Sequence, residues 1–209
     1  MKTIQAIETT YEGIKYRSRN EARWGVFFSC LGLDFEYEPE GYEIIHNNKK
    51  IRYAPDFLIR KQHEFDQNLY VEIKPSANKE IIITKDDEAK VFAFGRHEPI
   101  TTLGSVGDYM NEIGCPSGSN YEYLSPYSKD FNPLCEDHTD ANGKEIEISC
   151  DCGYLFCQCI YCGCFGFQYF GRSERINCCN ENTDHKLYNF NSKMILSALQ
   201  DAKSYRFWK

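Results

Sequence analysis

The chain has no apolar run near the roughly 20 residues that a helix needs to cross a bilayer. A membrane-spanning helix is therefore not expected. Met1-Lys2-Thr3-Ile4-Gln5 does not lead into an apolar signal region, so no secretory signal is expected either, and an intracellular setting is. Positive charge is also short. Against 31 Asp and Glu stand 24 Lys and Arg, a formal net charge of −7, which ordinarily speaks against a nucleic-acid partner. The shortage is local, however. Residues 108–151 carry ten acids against Lys129 and Lys144, a net of −8, which leaves about +1 for the rest. Bases gather at Lys15, Arg17, Arg19 and Arg23, at Lys49, Lys50 and Arg52, and along 172–209, which holds seven bases and four acids. Such groups suit contacts to a phosphate backbone. At 209 residues the chain has room for one domain and a smaller module.

What is present is most informative between residues 52 and 75. Arg52-Tyr53-Ala54-Pro55-Asp56-Phe57-Leu58-Ile59 is followed, after a polar turn, by Leu69-Tyr70-Val71-Glu72-Ile73-Lys74-Pro75. Carboxylates are unfavourable in strands, so Asp56 and Glu72 need a reason to be there. Glu72 and Lys74 are two apart and point to one face of a strand. Asp56 reaches them from the neighbouring strand of a hairpin. Two carboxylates and an ammonium in one small volume suit a hard cation held through oxygen, with the lysine steadying a water or a developing anion. A solvated Glu–Lys pair is the plainer reading, but apolar Tyr53, Phe57, Ile59, Leu69, Val71 and Ile73 predict a covered sheet.

Upstream, Tyr16 to Leu33 reads as an amphipathic helix. Ser18 and Glu21 fit a capping box, Gly32 fits the stop, and Trp24, Phe27, Phe28 and Leu31 form the apolar stripe. Glu21 lies at the edge of that stripe, facing the sheet. Phe35 to Ile44 reads as strand, turn and strand; Glu38 is read as facing solvent, with a further site carboxylate as the alternative.

In this order, Tyr16-Arg17-Ser18 with Glu21, Phe35-Glu36-Tyr37-Glu38, Tyr53-Ala54-Pro55-Asp56-Phe57 and Val71-Glu72-Ile73-Lys74 resemble the PD-(D/E)XK nuclease superfamily. Within it, Tyr16 to Pro75 is similar to phage junction-resolving endonucleases of the endonuclease I type and to related small phage nucleases. The resemblance covers about 60 of 209 residues. It implies that Asp56, Glu72 and the backbone carbonyl of Ile73 bind Mg²⁺ or Mn²⁺, that Glu21 completes the metal site, and that Lys74 orients or activates the attacking water. After Pro75 the chain departs from those enzymes: a cysteine-rich segment stands where they carry a basic part.

The stretch after Pro75 predicts a short helix around Asn78–Lys90 and a strand at Val91-Phe92-Ala93-Phe94; Ile81-Ile82-Ile83-Thr84 is an alternative strand. Nine of eleven cysteines fall between Cys135 and Cys179. In a reducing compartment their close pairs read as zinc knuckles. One candidate set is Cys135, His138, Cys150 and Cys152; the other is Cys159, Cys162 and Cys178 with Cys179 or His185. A redox role for Cys159-x₂-Cys162 is disfavoured, because that pair does not open a helix after a strand. The aromatic residues from Tyr154 to Phe170 fill the core of such a module, and Asn191–Lys209 reads as a terminal amphipathic helix packing back on the body.

The expected fold is thus α/β (α+β): a restriction-endonuclease-like core with a mixed sheet over 1–113, a Cys-rich zinc-binding module over 114–190, and a C-terminal helix over 191–209. The expected function is a Mg²⁺- or Mn²⁺-dependent DNA endonuclease or nickase with structural Zn²⁺, acting on duplex or branched DNA inside a bacterial cell and phage-like in origin. A homodimer is allowed, and no membrane partner is expected. The alternative is a catalytically silent nuclease-like scaffold that binds DNA or a protein through its zinc module.

Overall fold

The computed structural model of the chain describes residues 6–46, 49–61, 68–77, 80–95, 97–98, 100–107, 128–130, 154–159, 163, 165–169, 188–189 and 192–207. Helix α1 (Arg19–Cys30) starts where the sequence signals it. Ser18 is its N-cap, and its hydroxyl accepts from the Glu21 N–H at 3.1 Å. Gly32, at φ +66°, takes the left-handed position that ends the helix. Trp24, Phe27 and Phe28 are fully buried on one stripe. Gly25 lies on the same helix against Tyr16, where a Cβ would come 2.4 Å from the tyrosine oxygen. Only glycine allows that approach.

The main sheet is mixed and five-stranded. Its order is β11 (Ser128–Asp130), β10 (Ile100–Leu103), β7 (Leu69–Ile73), β6 (Phe57–Ile59) and β3 (Phe35–Tyr37). β10 runs parallel to β7; the other pairs are antiparallel. A parallel pair needs a long crossover, and here it contains the small hairpin β8 (Ser76–Ala77) and β9 (Glu80–Ile81) and then helix α2 (Lys85–Gly95). β11 lies within the segment expected as the cysteine-rich module, yet it extends the edge of this sheet.

All five residues of β7 are buried, so both faces of the sheet are covered. Leu69, Val71 and Ile73 join Phe57, Ile59 and Leu103 in a core with α1 and with helix α3 (Lys193–Ser204). α3 contributes Ile195, Ala198, Leu199 and Ala202, the helical spacing of a buried stripe, and so packs back on the body. Leu58, Tyr70 and Ile100 face the opposite way, into a second core with Val91, Ala93 and Phe94 of α2. The hairpin of β4 (Tyr42–His46) and β5 (Lys49–Tyr53) closes this core with Ile44 and Tyr53. A further hairpin, β1 (Thr9–Tyr11) with β2 (Ile14–Tyr16), precedes α1. β12 (Tyr154–Cys159), β13 (Phe165–Tyr169) and β14 (Tyr188–Asn189) form a separate sheet in the order β13-β12-β14.

The structure corrects two expectations. The helix read around Asn78–Lys90 begins only at Lys85, because Glu80–Ile81 pairs with Ser76–Ala77 as strand β9. Val91-Phe92-Ala93-Phe94 is not a strand but the second half of α2. Thr84 caps that helix: its hydroxyl accepts from the Asp87 N–H at 3.1 Å and donates to the Asp87 carboxylate at 2.9 Å. With helical periodicity, Val91 and Phe94 fall on one buried face. The strand parallel to β7 is β10 instead.

Candidate active site

β6 and β7 pair with Phe57 opposite Val71. Continued by one residue, this register brings Asp56 opposite Glu72, as the hairpin reading required. Both are buried, at 3% and 6% exposure, and Glu21 from the start of α1 is 8% exposed. Buried carboxylates must be hydrogen-bonded or paired, and each of these is. One oxygen of Asp56 accepts from the Ile73 N–H at 2.6 Å, and the other is paired with the Arg17 guanidinium. Glu72 accepts from the Tyr53 hydroxyl at 2.7 Å and pairs with Lys74 Nζ at 2.8 Å. Glu21 accepts from the Ser18 hydroxyl at 2.7 Å and from the Tyr37 hydroxyl at 2.5 Å. The Ser18 hydroxyl thus serves both the Glu21 N–H, as the N-cap, and the Glu21 carboxylate, so cap and site meet at one side chain.

Arg17 ties the parts together. Its Nε lies 2.9 Å from Glu38 and 3.9 Å from Glu21, while its other end holds Asp56. Glu38 is thus exposed, as expected, but paired. Asn20 reaches from α1 to the carbonyls of Lys74 and Gly104 at 3.4 and 3.3 Å, and the Trp24 indole N–H donates to Gly104 at 2.8 Å. These bonds fix the helix start against the end of β7. On the far side, Lys74 Nζ lies 3.4 Å from Asp87 in the first turn of α2.

The electrostatics follow from burial and crowding. The Asp56 carboxyl is pushed well above the ordinary carboxylate range, first by burial and then by the charges of Glu72 and Glu21; the Ile73 N–H and Arg17 act against this. Burial works to lower the Lys74 pKa, but Glu72, Asp87 and Asp56 outweigh it and raise it, so Lys74 is a fixed cation. Tyr53 and Tyr37 are both pushed up, by burial and by the neighbouring glutamates, so they remain neutral donors.

Five acids (Glu21, Glu38, Asp56, Glu72, Asp87) therefore surround two bases (Arg17, Lys74). Carboxylate oxygens are the ligands a hard divalent cation takes, and the excess charge that raises Asp56 is of the sign such a cation relieves. The donor chemistry fits Mg²⁺ or Mn²⁺. The side chains do not stand as a ligand cluster: among the described residues no group of three or more His, Cys, Asp or Glu is arranged to hold a metal. Arg17, Lys74 and the two tyrosines occupy the oxygens instead. Of the zinc candidates, Cys159 is the last residue of β12. Cys135, His138, Cys150, Cys152, Cys162, Cys178, Cys179 and His185 lie outside the described residues.

Sequence reasoning brought Glu21, Asp56, Glu72 and Lys74 forward but missed Arg17, Tyr37, Tyr53 and Asp87 as their partners. The Thr84-x-x-Asp87 spacing was a signal for the last. Thr102 was also missed. It stands opposite Glu72 in the β10–β7 register, is 0% exposed, and its hydroxyl has no partner among the described residues. No protein-family model matches the chain, and no curated protein or solved structure is detectably similar to it.

Proposed function

We propose that the chain is a metal-dependent DNA endonuclease or nickase of the PD-(D/E)XK type. One observation carries the reading: two buried carboxylates, Asp56 just before β6 and Glu72 on β7, at 3% and 6% exposure, beside a lysine whose ammonium is stabilised. The sheet of β3, β6 and β7 with β10 parallel to β7, flanked by α1 and α2, fits the restriction-endonuclease-like core that the resemblance implies. Asp56, Glu72, Glu21 and the Ile73 carbonyl would hold Mg²⁺ or Mn²⁺. When bound, that ion supplies charge for the scissile phosphate and lowers the pKa of a water.

The rest is done by the chain itself. Lys74, kept protonated by Glu72 and Asp87, is no general base; it orients the attacking water and stabilises the charge that develops. Tyr53 fixes the rotamer of Glu72, and the Ile73 N–H fixes that of Asp56. Arg17 would give up Asp56 to a bound divalent cation. In-line attack by water forms the new P–O bond and breaks the bond to the 3′ oxygen, leaving a 3′-OH and a 5′-phosphate. The cysteine-rich segment would carry one or two structural zinc ions.

A second reading, a silent nuclease-like scaffold that binds DNA or a protein partner, is favoured by a different observation. Every site carboxylate already has a partner within the chain, so no ion is needed to satisfy it. Supercoiled plasmid separates the two. Cleavage that needs Mg²⁺ or Mn²⁺, stops in EDTA and is lost in Glu72→Ala and Lys74→Ala is expected. Full turnover by Glu72→Ala would sink the nuclease reading, and salt-sensitive DNA binding without cutting would establish the scaffold.

A further inference from the structure

We infer that the β4–β5 hairpin is a docking ribbon for the phosphate backbone of duplex nucleic acid. The inference deepens the nuclease reading and rests on it for its meaning, but not for its test. The hairpin stands outside the main sheet as a two-stranded unit. Its register sorts its residues cleanly. Ile44 opposes Ile51 and Tyr42 opposes Tyr53, while Glu43 opposes Arg52 and Ile45 opposes Lys50. The first set faces α2: Tyr42 and Tyr53 meet the Phe94 ring at 5.1 and 5.2 Å, and the Tyr42 and Tyr70 hydroxyls lie 2.7 Å apart. The second set faces outward. Glu43, Ile45, Lys50 and Arg52 are all exposed, with Lys49 exposed at the tip.

That outer face sets Lys50 and Arg52 against Glu43, a net of +1 in a chain that is −7 overall, and Lys49, opposite His46, adds an exposed cation at the end of the ribbon. Glu43 and Lys50 pair at 2.5 Å, but both are at least half exposed, so a phosphate can replace the glutamate at little cost. Ile45 sits at 69% exposure among these charges. A large apolar side chain surrounded by cations suits the sugar edge of a groove better than water. A two-stranded ribbon is also of a width that the major groove admits. A negatively charged polymer with apolar sugar edges matches this face better than an acidic protein, which offers no regular array of charge.

Position gives the ribbon its use. β5 ends at Tyr53, whose hydroxyl holds Glu72, and after Ala54 and buried Pro55 the chain reaches Asp56. From Arg52 to Asp56 the backbone spans at most about 14 Å, or roughly four base-pair steps of duplex. Arg52 and Lys50 would therefore grip phosphates within a few nucleotides of the site and set where the strand lies across it.

Anisotropy of a labelled blunt duplex, titrated in EDTA at roughly 50 to 200 mM salt, tests this with the full chain. The double variants Lys50→Ala/Arg52→Ala and Lys50→Glu/Arg52→Glu are compared with the wild type, their folding checked by circular dichroism. The slope of log affinity against log salt is expected to fall by roughly two, with affinity down about tenfold for alanine and further for glutamate. Unchanged slope and affinity in both variants, while the wild type binds and cuts, would overturn this inference alone. A wild type that neither binds nor cuts removes the nuclease reading with it. Capture of an acidic polypeptide in place of duplex would overturn the inference in favour of a protein partner.

Discussion

The two faces of β7 are made by alternate residues of one five-residue strand, and they have opposite chemistry. Leu69, Val71 and Ile73 enter a core of aromatic and aliphatic groups contributed by α1 and α3. On the other face Tyr70 packs against Phe94 in the second core, its hydroxyl meeting that of Tyr42, while Glu72 meets the Tyr53 hydroxyl and the Lys74 ammonium. Both faces are buried to the same degree. On the first, stability comes from area removed from water and from close packing. On the second, a charge is tolerated because every oxygen of Glu72 has a partner. A buried carboxylate with such a set of partners is a costly way to fill a core, a cost that the proposed metal site would explain.

The sharpest way to break this contrast is to remove the charge. Glu72→Gln keeps shape and the Tyr53 hydrogen bond, yet is expected to reduce plasmid cleavage to background while duplex affinity stays within a few-fold. Lys74→Ala should cost roughly 10²–10³-fold in cleavage rate, read under single-turnover conditions. On the apolar face, Phe57→Ala should leave the site's composition intact and cost about 3–5 kcal/mol of stability, measured by denaturant unfolding. Ser18→Ala removes the cap of α1 and one partner of Glu21; it should cost about 1 kcal/mol and loosen divalent-ion binding in calorimetry. If Ser18→Ala changes stability alone, Glu21 belongs to the cap and not to the site.

The polar face also predicts a pH effect of fixed sign. Asp56 has a folded-state pKa above its unfolded one, so the folded state holds a proton that the unfolded state gives up near pH 4. The stability this provides is present below that value and is lost as pH rises toward the raised folded value. Metal-free wild type should therefore lose stability over that window relative to Asp56→Asn, in thermal melts across the range. Parallel curves for the two proteins would mean that Asp56 is ionised throughout, held so by Arg17.

Much of this was legible in the sequence, for physical reasons. α1 carried a cap, a stop and an apolar stripe that agreed with one another. β6 and β7 carried carboxylates among β-formers, a conflict that pointed to a site. Val91–Phe94 misled because its residues favour strands locally, whereas the Thr84 cap and the packing of Phe94 against Tyr42, Tyr53 and Tyr70 decide for a helix. Arg17 stood within a quoted motif, but its grip on Asp56, 39 residues away, depends on how α1 meets the hairpin. No local pattern encodes that.

Gly25 has a reach beyond its own helix. The ring it makes room for belongs to Tyr16, which lies 4.5 Å from the Tyr37 ring, centroid to centroid, and is joined in sequence to Arg17. Any side chain at position 25 must displace Tyr16, which packs on the ring of Tyr37, the donor to Glu21, and precedes Arg17, the cation on Asp56. A single methyl group inside an oily helix would thus be felt as a change in the charge balance at the far edge of the sheet. For anyone engineering this chain, position 25 is a tuning screw that touches no ionised group.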